Sequence, residues 1–285
     1  MDAVDAFSAD ELREFEPQFL DSAELTSTEL EWIVKVRDVA MSSGFEHLCS
    51  CAMLVQLAIA THGNGTLAVK RLAKISKWLS EPSVASKSPE ECLSEVSSLS
   101  MPHTAGFGYM VPLTMKDGTI GLAFDYSVFE SKNLTVPLAV KALLFRLETF
   151  ACSLDNVRRG YSVVAHTPNG MRGISPSIEL AGSRVYTAGY PMTVRKILVV
   201  DSSRLTSFGL KMLGPLIGET QQKKIVEIAM KDAFGENLVK ETTPTFLGGT
   251  TGPKEMAACQ AAFKAQRVAW EAELAEKYGT NFSKL

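Results

Sequence analysis

The stretch GYPMTVRKILVVDSSRLTSFGLKMLGPLIGE, residues 189–219, decides the fold. Its Tyr190-Pro191 pair cannot continue a helix, and the chain then enters a β-branched cluster, Ile197, Val199 and Val200, that ends at Asp201. This predicts a buried strand. Beyond it, Leu205, Phe208, Met212 and Leu216 recur at spacings of three and four, one face of a helix stopped by Gly214-Pro215. Downstream, Pro244-Thr245-Phe246-Leu247-Gly248-Gly249 closes the unit with a proline that fixes the chain and glycines free to turn it.

Working outward, strands alternate with helices. Strands are predicted over Thr119 to Tyr126, Tyr161 to Ala165, Arg195 to Val200 and Lys224 to Ile228, and helices over Val136 to Leu154, Pro176 to Ala188 and Ala233 to Thr243. The pattern implies an α/β fold with a mixed or parallel sheet of four to five strands flanked by helices. Upstream the signals are helical. Thr28-Glu29-Leu30-Glu31 reads as a capping box opening a helix to about Ser43, a second helix runs from His47 to Ala60, and Thr66 caps a third reaching Leu79. Glu81 to about Thr104 is rich in Ser, Pro and Glu and reads as a linker, with a helical turn or two between Glu90 and Leu99. The last segment, Lys254 to Tyr278, is strongly helix-forming, with Met256, Phe263, Trp270 and Leu274 as a stripe packed on the body. The expected organisation is an acidic tail over 1–25, a helical region over 26–98, the α/β domain over 99–252 and a C-terminal helix over 253–285.

The Tyr-Pro, strand, apolar helix and final Pro-x-x-x-Gly-Gly together resemble the CRAL-TRIO lipid-binding domain family. Ile174-Ser175-Pro176-Ser177, ahead of a helix and Tyr190-Pro191, is more similar to the tocopherol-transfer and retinaldehyde-binding branch than to the phosphatidylinositol-transfer branch. The resemblance covers roughly Cys49 to Gly249 and is best from Gly160 onward. It implies an apolar ligand site. One wall would be Val140, Leu143 and Leu147, with Tyr161 and Ala165 on the sheet. Ile174, Val185, Tyr186, Tyr190, Met192 and Ile197 would form the floor, and Leu205, Phe208, Met212, Leu213 and Leu216 a mobile gate helix over Ser203 to Leu216. It also implies cations that meet an anionic membrane surface, here Lys70, Arg195 and Lys224 with Arg71 and Lys223 beside them. Phosphatidylinositol carriers of the family have a Glu-Arg pair after the Tyr-Pro, where this chain has Met192-Thr193. A buried phosphate would lose those partners, so the implied cargo is a less charged molecule: a sterol, an isoprenoid or a fatty acyl chain.

Bulk properties agree with a globular, non-catalytic binder. The chain has 285 residues, 46% of them apolar and 21% charged, with a formal net charge of -3, which argues against a general nucleic-acid binder. Its five cysteines include no CxxC pair and read as free thiols in a reducing compartment. The acidic start lacks the basic and apolar regions of a signal peptide, and no apolar run has the length of a membrane span. The expectation is a cytoplasmic, soluble protein in transient contact with membranes. GxSxG, HExxH, GxGxxG and Walker-type phosphate-loop signatures are all missing, and the four histidines lack ligand spacing, so neither catalysis, a cofactor nor a metal is expected. Two other readings stay open: an interaction module whose pocket is filled by Tyr161, Tyr186 and Phe208, and an enzyme whose polar groups converge around Asp125, His166 and Asp201.

Overall fold

The computed structural model describes residues 24–100, 110–128, 133–168, 175–185, 189–203 and 222–285. Helix α1, Ser27–Ser42, opens on a capping box: the Thr26 hydroxyl accepts from the Glu29 amide at 3.2 Å and the Glu29 carboxylate accepts from the Thr26 amide at 2.8 Å. The sequence offers two such boxes, Thr26–Glu29 and Thr28–Glu31, and the expected one was the second. Arg158 breaks the tie, because its guanidinium bonds both Glu29 carboxylate oxygens, at 2.8 and 2.5 Å. Helix α2, Cys51–Thr61, also starts later than expected, after a short 3₁₀ turn over Glu46–Leu48. Ser50 caps it, and Glu271 from the far end of the chain accepts from the Cys51 and Ala52 amides at 2.6 and 2.8 Å. Asn64, not Thr66, caps α3, Gly65–Leu79.

The expected linker is more ordered than its composition implied. A reciprocal Ser88–Glu91 pair opens a full helix, α4, Pro89–Ser100, and Cys92 and Val96 carry it into the core. Lys141 holds the preceding loop by donating to the Val84 and Lys87 carbonyls at 2.7 and 2.5 Å.

The sheet has five strands whose spatial order follows the sequence: β1 Met110–Thr114, β2 Ile120–Asp125, β3 Tyr161–His166, β4 Val194–Val200 and β5 Ile225–Ile228. β1 and β2 pair antiparallel; every later pair is parallel. β1 was not expected, since Pro112 interrupts it, and it is tolerated because β1 lies at the sheet edge. Between β2 and β3 run α5, Val136–Phe150, and α6, Leu154–Arg159. One helix was expected there, but the chain breaks at Ala151 and Ser153 caps a new helix by accepting from the Asn156 amide at 3.2 Å. Helix α7, Pro176–Arg184, follows β3.

Alternation along the strands gives the sheet two apolar faces. Ile120, Leu122, Phe124, Tyr161, Val163 and Val194 face one core that is continuous with the N-terminal helices, α5 and the C-terminal helix. Val111, Leu113, Ala123, Val164, Leu198 and Val200 face a smaller core closed by Ala233, Leu238, Leu247 and Met256. Helix α8, Met230–Glu236, precedes that closure and lies earlier than the expected Ala233 to Thr243. In the Pro-x-x-x-Gly-Gly turn, Gly248 has φ of 77° and the Gly249 amide donates to the Pro244 carbonyl at 3.2 Å. A Cβ on Gly249 would stand 1.9 Å from the Thr243 carbonyl oxygen, so this close approach requires glycine. The last helix, α9, Pro253–Tyr278, buries Met256, Phe263, Trp270 and Leu274, the stripe expected from its spacing. No helix among the described residues is long and apolar enough to cross a membrane.

Candidate functional site

The described wall residues come from four parts of the chain and meet on one side of the sheet. Val140, Leu143 and Leu147 line α5, Tyr161 opens β3, Val185 follows α7, and Tyr190 and Met192 form the turn into β4; all are buried in the larger core, and Ile197 packs half-buried against it. Ala165, near the end of β3, is buried as well. The Trp78 indole, at the end of α3, lies so close over Gly189 that a Cβ there would be 2.4 Å from the ring, which docks the helical region on the Tyr190 turn. Ile174, Tyr186 and the gate residues Leu205, Phe208, Met212, Leu213 and Leu216 lie outside the described residues, as does Ser203 to Leu216 beyond Ser203 itself.

Polar groups that motif reading had missed sit within this apolar region. Gln56, in the middle of α2, is fully buried and faces Tyr190, yet neither its amide nor the Tyr190 hydroxyl closes a well-formed hydrogen bond. Burial, with the Glu148 carboxylate adding to it, holds the Tyr190 phenol well above its ordinary pKa. Burial raises the Glu148 pKa against the opposing pull of Arg267. Arg267 is well provided for: it donates to the Ala151 carbonyl at 3.0 Å, stands 3.7 Å from Glu148 and 4.0 Å from Glu271, and lies 5.7 Å above the Trp270 ring centre. Arg146, on α5, has no comparable set. The only sequence signal for Gln56 and Arg146 is a lone polar residue inside an apolar helical run.

At the C-terminal edge of the parallel strands, His166 Nδ1 lies 3.2 Å from Asp125 Oδ1, joining the ends of β3 and β2. Burial works against the Asp125 carboxylate, but its bonds with His166 and Ser127 outweigh this and hold its pKa below the ordinary value. The His166 ring stacks on Phe246 at 6.0 Å. Asp201 does not join the pair: its carboxylate accepts from the Met230 amide at 2.8 Å, ahead of α8. Two of the three polar groups that an enzyme reading requires therefore meet, and the third is used to start a helix. Among the described residues no three metal-binding side chains cluster.

The expected membrane cations fall in two places. Lys70 and Arg71 lie on α3, Lys70 exposed and Arg71 half-buried, with burial lowering the Arg71 pKa. Arg195, Lys223 and Lys224 gather at the N-terminal ends of β4 and β5. Arg195 donates to the Arg159 and Arg158 carbonyls, and Lys224 donates to the Val194 carbonyl at 2.7 Å.

No family model matches the chain, and no curated protein matches it. A solved structure, the crystal structure of Sfh5, is similar over 80% of this chain and 89% of its own, with a TM-score of 0.45 and 11% identity. That likeness is too distant to assign fold or function.

Proposed function

We propose that this protein binds and carries one hydrophobic small molecule, a lipid, isoprenoid or sterol-like compound, without making or breaking covalent bonds. The observation that carries the reading is convergence: the described residues implied as an apolar ligand wall, drawn from α5, β3, the end of α7 and the Tyr190 turn, meet in one apolar cluster. Each buried CH2 of a ligand contributes about 0.8 kcal/mol, so an acyl or isoprenoid chain binds such a wall with few polar contacts. Release then needs a membrane as acceptor. In this reading the apolar series of Ser203 to Leu216 exchanges ligand contacts for bilayer contacts. Lys70, Arg71, Arg195, Lys223 and Lys224 hold the protein at an anionic surface on the cytoplasmic side.

Native mass spectrometry and solvent extraction of the purified protein test this. A co-purifying hydrophobic molecule, present in stoichiometric amount, is the expected result. A preparation that carries none and takes up neither labelled fatty acid, sterol nor retinoid would sink the proposal. The Asp125–His166 pair favours a second reading, an enzyme using the C-terminal edge of the sheet. That reading requires Asp125→Asn to abolish turnover of a substrate while leaving lipid uptake intact.

A further inference from the structure

Among the described residues Arg146 is the one arginine that is nine-tenths buried with neither a carboxylate nor a carbonyl acceptor beside it. It is 8% exposed, its Nε meets no acceptor, and among the described residues the ionisable neighbour acting on it is the Cys259 thiol of α9. Its own helix offers nothing. Ala142, Leu143 and Phe150, one turn away on either side, are buried and apolar, and the Thr149 hydroxyl is spent on the Arg146 carbonyl at 2.7 Å. Glu148, two residues on, lies roughly 200° around α5 and faces Arg267.

Three other arginines are neutralised by carboxylates: Arg158 by Glu29, Arg159 by Asp155, and Arg267 by Glu148 and Glu271. Arg71 also has a buried Nε and Nη1 without a partner, but it is only half-buried as a residue. Removing the counter-charge from a buried ion is strongly destabilising, so a cation kept without one is retained for something outside the fold. Burial pushes Arg146 down only to about 10, which leaves it cationic at neutral pH, and pushes Cys259 up to about 12, which leaves the thiol neutral. Cys259 is half-buried at the residue level, but its thiol is shielded from solvent.

We infer that Arg146 receives the anionic head of the hydrophobic ligand, and that the ligand is a long-chain carboxylate whose tail lies along Leu143 and Leu147. A guanidinium offers two parallel N–H donors matched to one carboxylate. A phosphate monoester carries more charge, and among the described residues no second cation acts on Arg146 to balance it. The inference rests on the ligand-carrier reading and adds the class of ligand and the residue that selects it.

The test uses the full chain and displacement of a neutral solvatochromic probe, Nile red, by three molecules sharing one tail: oleate, oleyl alcohol and oleyl phosphate. Wild type should favour oleate over the alcohol by at least about tenfold, the span of a charge-assisted hydrogen bond. Arg146→Met, which keeps length and removes charge, should weaken oleate binding by at least about tenfold so that oleate and the alcohol bind alike, and should melt at the same or a higher temperature without ligand. Equal wild-type affinity for oleate and alcohol overturns the role of Arg146 while leaving the carrier reading intact. So does an Arg146→Met protein that keeps the preference. Tighter binding of oleyl phosphate than of oleate overturns the choice of a carboxylate. Failure of all three to displace a probe that does bind, or failure of the probe itself, overturns the carrier reading as well.

Discussion

Glu29 caps the start of α1 and neutralises Arg158, which lies 129 residues away in sequence. Burial alone would raise its pKa, but the Arg158 guanidinium and the Thr26 donors outweigh it and hold the carboxyl below the ordinary range. A depressed folded-state pKa gives stability that is complete above the unfolded value, about 4.3, and is lost as pH falls through the lower folded value. Glu29→Ala should therefore cost about 2–3 kcal/mol at neutral pH, from the cap and the orphaned Arg158 together. The gap between variant and wild type in urea unfolding should narrow at pH 3. A gap that is constant with pH would show that the carboxylate's charge is not what matters. Gln56 makes the opposite case. Its buried amide lacks well-formed hydrogen bonds, so Gln56→Leu should raise the unfolding free energy by roughly 1 kcal/mol, read as a higher urea midpoint. A loss of stability would mean that Gln56 and Tyr190 support each other more than their geometry indicates. Side chains such as these were illegible in the sequence because a lone Gln or Arg in an apolar run has no partner at a readable spacing. The buried apolar positions on α5 and β3 were legible because they follow helical and strand periodicity.

At the scale of elements, the described parallel strands lie where alternation put them, the helix expected over Ser203 to Leu216 lies outside the described residues beyond Ser203, and several differences elsewhere have local causes. Two adjacent Thr-x-x-Glu boxes competed for α1, Pro112 hid β1, and Ser153 recapped a chain that composition alone would have kept helical to Leu154. The start of α2 could not be read locally at all, because half of its cap comes from Glu271 on α9. That carboxylate accepts two orphan amides at the positive end of the α2 dipole. Glu271→Ala should cost about 1–2 kcal/mol, within the range of lost caps, and should raise amide exchange at Cys51 and Ala52 above that of the middle of α2. Uniform exchange along α2 in the variant would show that Ser50 suffices on its own.

Across the whole molecule, α9 ties the helical region to the sheet. Phe263, Trp270 and Leu274 are each no more than 6% exposed, Phe282 just beyond the helix is fully buried, and all four belong to the core that contains both Ile33 and Leu122. Covering each such side chain contributes about 1.5–3 kcal/mol, so the four together match the whole net stability of an ordinary domain. The termini add two more ties, through Lys277 to Glu24 at 2.7 Å and through the bond from Arg37 to the Phe282 carbonyl at 2.5 Å. Composition showed a helix with an apolar stripe but not what the stripe would cover, since that depends on contacts with residues two hundred positions earlier. A chain ending before Pro253 should therefore keep much of its far-UV helical signal while losing near-UV dichroism and cooperative thermal unfolding. A truncated protein that retains a sharp, two-state transition would show instead that α9 is an appended partner-binding helix, and that the core closes without it.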